Sequence, residues 1–512
     1  MAMATGNGTV SQWIMELPQP QAMLGALATI AIAFASISVS YYFISISKQL
    51  GKDEKKKVKY PPFAPGGVWH HARLRISGGP YWMLDVAQQL QTRVFRTYLP
   101  GSIPPKSWIM VGEPSTFQTV LTDPLTKKPE ELCRYFSSIT GGVPTMGQLN
   151  GAKSHAKRKA VMPAFSSNHV KRMMRVSLDK MEAWIKLMVE QTTEDEPSFD
   201  FDVSEEMVCI VLSAQSETAF EYEMTEQDMD TFGKDQKVAL IEFVRKDPVI
   251  PFRSLLGWFL PERRRAVAAA KSLKALAMKL MKEYRANQHM NDGTIIQLIM
   301  ESDEAFPTDD EKAAQLLEFL LTGRDATANS ISFILIELAK NPIEQTKLRE
   351  SLSQISPENW ATSEHLHRVL KEGMRLNPVA LSIRETGRDI LTSKNELIPK
   401  GSLCVMHQLM LFRDPNVFSD PNVFAPSRWE EPTREMMSSF HPFSLGKQNC
   451  VGQSLARAEV YGIVARVCSE FELSVGEEGI VDHTLTRKAV GARLRARKVC
   501  RELGLDGATR NT

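Results

Sequence analysis

The sequence predicts a mainly α-helical protein with a small β region, an α+β fold in which helices dominate. Three observations carry this. Between about residues 170 and 300, Met, Leu and Ala recur at helical spacing among mixed charges, with few Gly or Pro. From Thr308 to Lys340 runs one long apolar stretch that stops at Asn341-Pro342. Near the C-terminus, Thr484 to Arg501 alternates apolar and basic residues, which predicts a closing hairpin.

The bulk numbers bound the rest. A chain of 512 residues can bury a large core, and length alone suggests two or three domains. Apolar content of 43% and charged content of 24% are ordinary for a globular protein. Lys and Arg total 62 against 60 Asp and Glu, so the basic excess of a nucleic-acid binder is missing and no nucleic-acid partner is expected. The six cysteines are scattered with no C-x-x-C pair. That argues against a disulfide framework or a structural zinc site and fits a reducing compartment.

In chain order, residues 1–22 are polar and irregular. Met23 to Ile46 gives 24 residues without a charge, enough to cross a bilayer core of about 30 Å as a helix. A cleaved signal peptide has a shorter apolar core behind a basic segment, and neither is present. Lys48, Lys52, Lys55, Lys56, Lys57 and Lys59 follow the span, and no Lys or Arg precedes it. The positive-inside rule therefore puts residues 1–22 in the lumen and everything after Lys48 in the cytosol, behind a single-pass anchor at 23–46. Residues 60–67, Tyr-Pro-Pro-Phe-Ala-Pro-Gly-Gly, read as a stiff spacer, so 47–68 is a basic and proline-rich linker and 69–512 the folded body.

Asp247 to Pro261 interrupts the helical run with an apolar, proline-broken loop, and Arg263-Arg264-Arg265 after it reads as a solvated face. Thr308 and Glu311 stand at capping-box spacing. The helix they open runs roughly 32 residues, or ~48 Å, and one so long and apolar must pass through the core. In its middle lies Thr322-Gly323-Arg324-Asp325-Ala326-Thr327. A mid-helix Gly costs ~1 kcal/mol relative to Ala, and an Asp in an apolar helix costs more unless paired. Both call for a reason beyond packing; the alternative is a tolerated kink with an Asp–Arg pair. Glu372 and Arg375 lie at i, i+3 on one helix face. Asp-Pro-Asn-Val-Phe occurs at 414–418 and again at 420–424, and reads as two turns rather than a repeat.

The rest of the chain is organised around Phe443-Ser444-Leu445-Gly446-Lys447-Gln448-Asn449-Cys450-Val451-Gly452, followed by a helical pattern from Gln453. A helix N-terminus favours an anion, so the thiol of Cys450 is expected to ionise easily. Gly446 and Gly452 allow a tight turn and the close approach of a bulky flat group. A thiolate so presented serves as nucleophile, redox sensor or metal ligand; the alternative is a buried structural cysteine.

The spacing F-x-x-G-x-x-x-C-x-G resembles the haem-ligand loop of the cytochrome P-450 family, the haem-thiolate monooxygenases. The resemblance covers roughly residues 60–500 and is concentrated in four motifs. It implies the family fold, with haem b (iron protoporphyrin IX) between the long helix and the cysteine loop, and Cys450 as axial thiolate. Phe443, Gly446, Gln448 and Gly452 then belong to the cofactor site. Where the family usually has Arg or His two residues before the ligand, Gln448 offers a hydrogen bond but no charge, and the neighbouring Lys447 is the expected compensation. Residues 151–165 resemble the helix whose Trp and Arg meet the haem propionates. Arg158 holds the Arg position, Ser154 stands where Trp is usual, and His155 is expected to supply the donor instead. Arg384 is expected to be a further propionate partner.

The middle of the long helix resembles the family's oxygen-activation motif, in which Gly323 opens a groove for O₂ and Asp325 with the first Thr delivers protons. Here that Thr is Ala326, and Thr327, the only hydroxyl of the pair, lies about 100° further round the helix. A substrate hydroxyl or a water then carries the proton, or a pre-formed peroxide is rearranged without a relay. Glu372, Arg375 and Arg428 resemble the E-x-x-R and P-E-R-F motifs, whose side chains form a buried charge cluster beneath the haem loop. Residues 382–384, 398–401 and 413–415 look like the family's small β region, and the loop at 247–261 like the roof of its substrate pocket.

By this resemblance, 69–512 is the haem-thiolate catalytic domain of a monooxygenase, expected as a monomer in the endoplasmic reticulum membrane. It would insert one oxygen atom from O₂ into a lipophilic substrate, a fatty acid, sterol or terpenoid. The Gly-Arg-Asp wording of the long helix is similar to that of the family's fatty-acid and alkane hydroxylases. Electrons would come from an NADPH-dependent flavoprotein reductase, or a cytochrome b5 type donor, docking near Lys153, Lys157 and Lys447. The alternatives are a hydroperoxide isomerase or dehydratase that needs no O₂, and a non-catalytic haem sensor or scaffold.

Overall fold

The computed structural model describes residues 58–66, 81–98, 107–192, 197–248, 253, 257, 259–287, 292–483 and 486–499. Helix α1 (Trp82–Leu90) precedes strands β1 (Val94–Tyr98) and β2 (Ser107–Val111), and α2 (Pro114–Thr122), α3 (Glu130–Ser137) and α4 (Gly151–Val161) follow. The run predicted as helices contains α5 (Ser167–Val189), strand β3 (Ser198–Asp202), α6 (Val203–Phe220), α7 (Glu226–Ala239), α8 (Pro261–Ala286) and α9 (Ile295–Glu301). Sequence reading passed over β3, whose Phe199 and Phe201 are both buried, a two-residue period too short to stand out among helical windows.

Helix α10 (Asp309–Lys340) is the predicted long helix, 32 residues in length. The Thr308 side chain accepts the Glu311 N–H at 3.2 Å, and Asp309, Asp310 and Glu311 fill the first turn, where the positive end of the dipole favours them. Pro342 stops it and opens α11 (Pro342–Ser353). The helix is buried almost all round because two cores meet on it. Leu316, Leu317 and Leu320 join Phe243, Leu273 and Phe306 in one; Ile331, Ile334 and Leu338 join Trp184, Ile463 and Phe471 in the other. Each such side chain contributes about 1.5–3 kcal/mol on leaving water. In the second core, Trp184 meets Phe201 edge to face at 5.2 Å.

After α12 (Glu364–Leu376) come β4 (Ser382–Glu385), β5 (Ile390–Leu391), β6 (Leu397–Ile398), β7 (Leu403–Met406), α13 (Gln408–Phe412) and α14 (Arg434–Ser439). Then α15 (Gln453–Glu470) leads into β8 (Phe471–Glu477), β9 (Ile480–His483), β10 (Arg487–Val490) and β11 (Arg493–Lys498). The largest sheet has the order β1-β2-β7-β4, with β2 and β7 parallel in the register Trp108 to Leu403 through Val111 to Met406. The predicted closing hairpin needs correction. β10 and β11 do follow one another, but β10 pairs with β9 while β11 lies between β3 and β8. Alternation says which residues share a face, not which strand lies alongside.

The proline-rich segment is also no free spacer where it is described. Arg96 of β1 donates from Nε to the Pro61 carbonyl at 2.7 Å, and its backbone N–H donates to the Pro62 carbonyl at 2.7 Å. Its guanidinium lies 4.1 Å from the Phe63 ring centroid. Prolines remove donors but leave carbonyls, and Arg96 takes them. The predicted anchor at 23–46, the lysines from 48 to 57 and most of the proline-broken loop lie outside the described residues. Among the described residues no helix is long and apolar enough to cross a membrane.

Candidate active site

A cavity of about 1220 Å³ separates the middle of α10 from the cysteine loop. Drug-sized ligands occupy pockets of ~300–1,000 Å³, so this one has room for a flat macrocycle and a second molecule. The side chain of Cys450 is exposed, but the surface it exposes is cavity wall. The loop holding it is set by its backbone. Cys450 N–H donates to the Phe443 carbonyl at 2.9 Å, Ser444 sits at φ 64°, and Gly446 at φ 77°. A Cβ on Gly446 would collide with the Leu121 carbonyl, so glycine is required there twice over. Gly452 differs: its φ is −81°, and a Cβ would come no nearer to the protein than 3.9 Å. The space it leaves belongs to the cavity.

The easy ionisation expected of Cys450 is corrected. Burial pushes the thiol above its ordinary value, and the Gly452 N–H and the Arg158 charge oppose this only in part. Desolvation beats the helix terminus unless a cation arrives to share the sulfur.

Arg158 lines the cavity from α4 and clamps the loop, donating from Nη1 to the Asn449 carbonyl at 2.8 Å and from Nη2 to Asn449 Oδ1 at 2.7 Å. Ser154, one turn back, lines the cavity too and donates to the Met146 carbonyl at 3.1 Å. His155 does not. One residue is about 100° of helix, and this turns His155 out to an exposed position, away from the cavity where the expected donor would be needed. Arg384 is buried on the cavity wall. Lys447 is exposed, while Gln448 is half-buried with an Oε1 that no donor reaches.

Sequence reading missed Lys128. It lines the same cavity, its ammonium donating to the carbonyls of Met146 at 2.9 Å and Leu149 at 3.0 Å. Burial lowers its pKa to about 8; Glu318 opposes the fall, and Arg384 and Arg158 add to it. Nothing in Lys127-Lys128-Pro129 distinguishes it from a surface lysine.

On α10 the helical phase decides. Phe319, Thr322, Gly323, Ala326, Thr327 and Ser330 line the cavity, and Asp325 does not. Arg324 Nε donates to Asp325 Oδ1 at 2.9 Å, and Gln236 of α7 donates to Oδ2 at 2.9 Å. The Arg324 guanidinium lies 5.3 Å from the Phe232 ring centroid. The proton-delivery role expected of Asp325 is therefore replaced by an ion pair facing away from the cavity. Nor does Gly323 keep a groove empty. A Cβ there would collide with the Gln215 amide, which donates to the Phe319 carbonyl at 2.7 Å. Thr322 and Ser330 each spend their hydroxyl on the carbonyl four residues back, both at 2.8 Å. The Thr327 hydroxyl makes no hydrogen bond among the described residues, and the residue lines the cavity.

Glu372, Arg375 and Arg428 come together in one cluster. Glu372 and Arg375 are each 0% exposed. Arg375 donates to Glu372 from Nε at 2.9 Å and from Nη2 at 2.8 Å, and Arg428 Nε adds 2.9 Å. The Ala425 N–H and the Trp429 indole complete the carboxylate's shell at 2.9 and 3.0 Å. Burial alone would push the carboxyl up; Arg375 foremost, with the Ala425 N–H and Arg428, holds it below its ordinary value.

This donor set suits a macrocycle better than a bare ion. Among the described residues no three His, Cys, Asp or Glu side chains cluster to hold a metal, and Cys450 lines the cavity with the cations Arg158, Arg384 and Lys128 also on its wall. A helix and a single-cysteine loop facing each other across a slot, with cations waiting for acidic groups, define a haem-thiolate protein. The cytochrome P450 family profile matches residues 98–500, and the chain belongs to that family, whose cofactor is haem.

It is 30% identical over 178 residues to cytochrome P450 4F5 of Rattus norvegicus, covering 32% of this chain and 34% of that protein. To cytochrome P450 CYP12A2 of Musca domestica it is 22% identical over 470 residues, covering 81% and 85%. To cytochrome P450 4F2 of Homo sapiens it is 24% identical over 379 residues, covering 68% and 71%. The match thus spans about a third of the rat protein, and only 46% of cytochrome P450 3A25 of Mus musculus.

Proposed function

We propose that the chain is a haem-thiolate monooxygenase, inserting one oxygen atom from O₂ into a lipophilic substrate while the other leaves as water. The observation that carries this is that Cys450 and the hydroxyl-bearing side of α10 line one cavity. Haem bound there supplies the O₂-activating chemistry, with two electrons from an NADPH-dependent flavoprotein reductase or a cytochrome b5 type donor. Cys450 would hold the haem iron, and Thr327 would hold a water or a substrate hydroxyl for proton delivery, since Thr322 and Ser330 already donate to helix carbonyls. Phe165, Phe319, Val379 and Leu381 on the wall favour an apolar ligand such as a fatty acid, sterol or terpenoid. The protein acts as a monomer anchored by residues 23–46 in the endoplasmic reticulum, with the domain in the cytosol.

The donor docks on the face carrying Lys153 and Lys447, both exposed; Lys157 is withdrawn from that face by a buried pairing with Glu311.

A ferrous–CO difference spectrum of wild type and Cys450→Ala tests the proposal. The thiolate signature is expected in the first and absent from the second; a Cys450→Ala protein that keeps it sinks the assignment. A second reading is favoured by Ala326 on the cavity face and by Asp325 turned away from it. In it the same site rearranges or dehydrates a lipid hydroperoxide and needs no proton relay. Turnover of a hydroperoxide by purified protein without NADPH selects this reading; strict dependence on a reductase selects the first. A spin-shift screen over fatty acids, sterols and terpenes narrows the substrate.

A further inference from the structure

Three cations share one stretch of the cavity wall. Arg384, Arg158 and Lys128 are close enough for their charges to oppose one another, and among the described residues none of them is in an ion pair with a carboxylate. Burial lowers the pKa of each. The nearest acid, Glu318, is already committed: the Thr145 hydroxyl, the Gly147 N–H and the Gln315 amide all donate to it. Desolvated cations without a partner are a standing cost unless a bound group brings negative charge. Haem brings two carboxylates.

Of the other candidates on this wall, Gln448 is neutral and Lys447 is exposed where Lys128 is half-buried. Lys128 is the lysine whose ammonium faces inward, held by two carbonyls that orient it without neutralising it. The Met146 carbonyl it shares with Ser154 ties it to α4, the helix that also carries Arg158. The arrangement is therefore a three-point cationic cradle built from α4, β4 and the segment ahead of α3, with the neutral Gln448 on the same cavity wall.

We propose that Lys128 is a haem-positioning residue of this chain, supplying to the propionates the positive charge that Gln448 does not. This rests on the haem reading above, and the test separates the two. The full-length holoprotein is mixed with excess apomyoglobin, and the first-order loss of haem is followed at the Soret band. A charge-assisted hydrogen bond removed from a buried site is expected to speed haem loss about tenfold in Lys128→Gln. Lys128→Arg, which keeps the charge, is expected to stay within about threefold of wild type. Lys128→Gln combined with Gln448→Arg is expected to recover most of the loss, because the charge returns from the other side.

An unchanged loss rate in Lys128→Gln overturns the proposal. So does fast loss that Gln448→Arg fails to reverse, because Lys128 would then act only by bracing the 146–149 turn. If Lys128→Gln does not fold, Lys128→Arg and Gln448→Arg alone decide: faster loss in the first, or no slowing in the second, counts against it. A wild-type chain that takes up no haem overturns the haem reading as well.

Discussion

The chain treats two groups of buried and half-buried charge in opposite ways. In one cluster, Glu372 answers Arg375 and Arg428 within hydrogen-bond distance, and the Trp429 indole and a backbone N–H fill what remains. On the cavity wall, Arg384, Arg158 and Lys128 have carbonyls for company but, among the described residues, no carboxylate in an ion pair. A buried charge whose partner is encoded nearby locks a fold. One whose partner is missing marks where something else must bind.

Breaking the first group should give the largest effect. Glu372→Gln leaves two guanidiniums buried without a counter-charge and is expected to cost about 3–5 kcal/mol, read as a shift in denaturant midpoint. If the midpoint stays put, the cluster is not what holds this part of the core. Arg428→Lys keeps the charge but loses the fork that also reaches the Ser419 and Asp420 carbonyls; a loss of roughly 1–2 kcal/mol is expected.

A pair of glutamates sharpens the same comparison through pH. Glu372 sits below its ordinary value, so the stability it contributes is present above pH ~4.5 and drains away as pH falls through its depressed value. Glu459 of α15 is its opposite. Burial, with only Ser177 opposing, raises its carboxyl from 4.5 to about 8, and its Oε1 has no donor. The folded state therefore holds a proton that the unfolded state has released, and stability falls as pH rises from about 4.5 to about 8. Glu459→Gln should flatten that fall in thermal melts across this window. An unchanged slope would mean that the carboxyl is ionised and paired.

The smallest effect in stability belongs to the cavity wall, and its sign is the informative part. Arg384→Met removes a cation that costs desolvation and makes no ion pair among the described residues. The haem-free protein should melt at the same temperature or gain roughly 1 kcal/mol, while haem loss from the holoprotein accelerates. Destabilisation of the haem-free form comparable to Glu372→Gln would erase the distinction between the two groups.

Much of this was legible before any coordinates. The ends of α10 follow from Thr308, Glu311 and Pro342, because caps and prolines act within one helical turn. The cysteine loop and the Glu372, Arg375 and Arg428 set could be named from their spacing and family likeness, since each depends on short stretches of chain. Two of the misread residues share one physical cause. Asp325 and His155 are each next to a cavity-lining residue, and 100° of helix rotation separates lining a cavity from leaving it. Lys157 reads as a surface lysine until α9 and α10 pack over α4 and bring Glu311 to it.

By itself, then, the sequence determined the helical class, the limits of the central helix and the identity of the one cysteine set in a turn, because backbone sterics and capping are settled locally. Only the tertiary structure decided which side of that helix meets the cavity, which strands accept β10 and β11, and that Lys128 turns inward. Those outcomes depend on how distant segments pack against one another, and no window of sequence contains both partners.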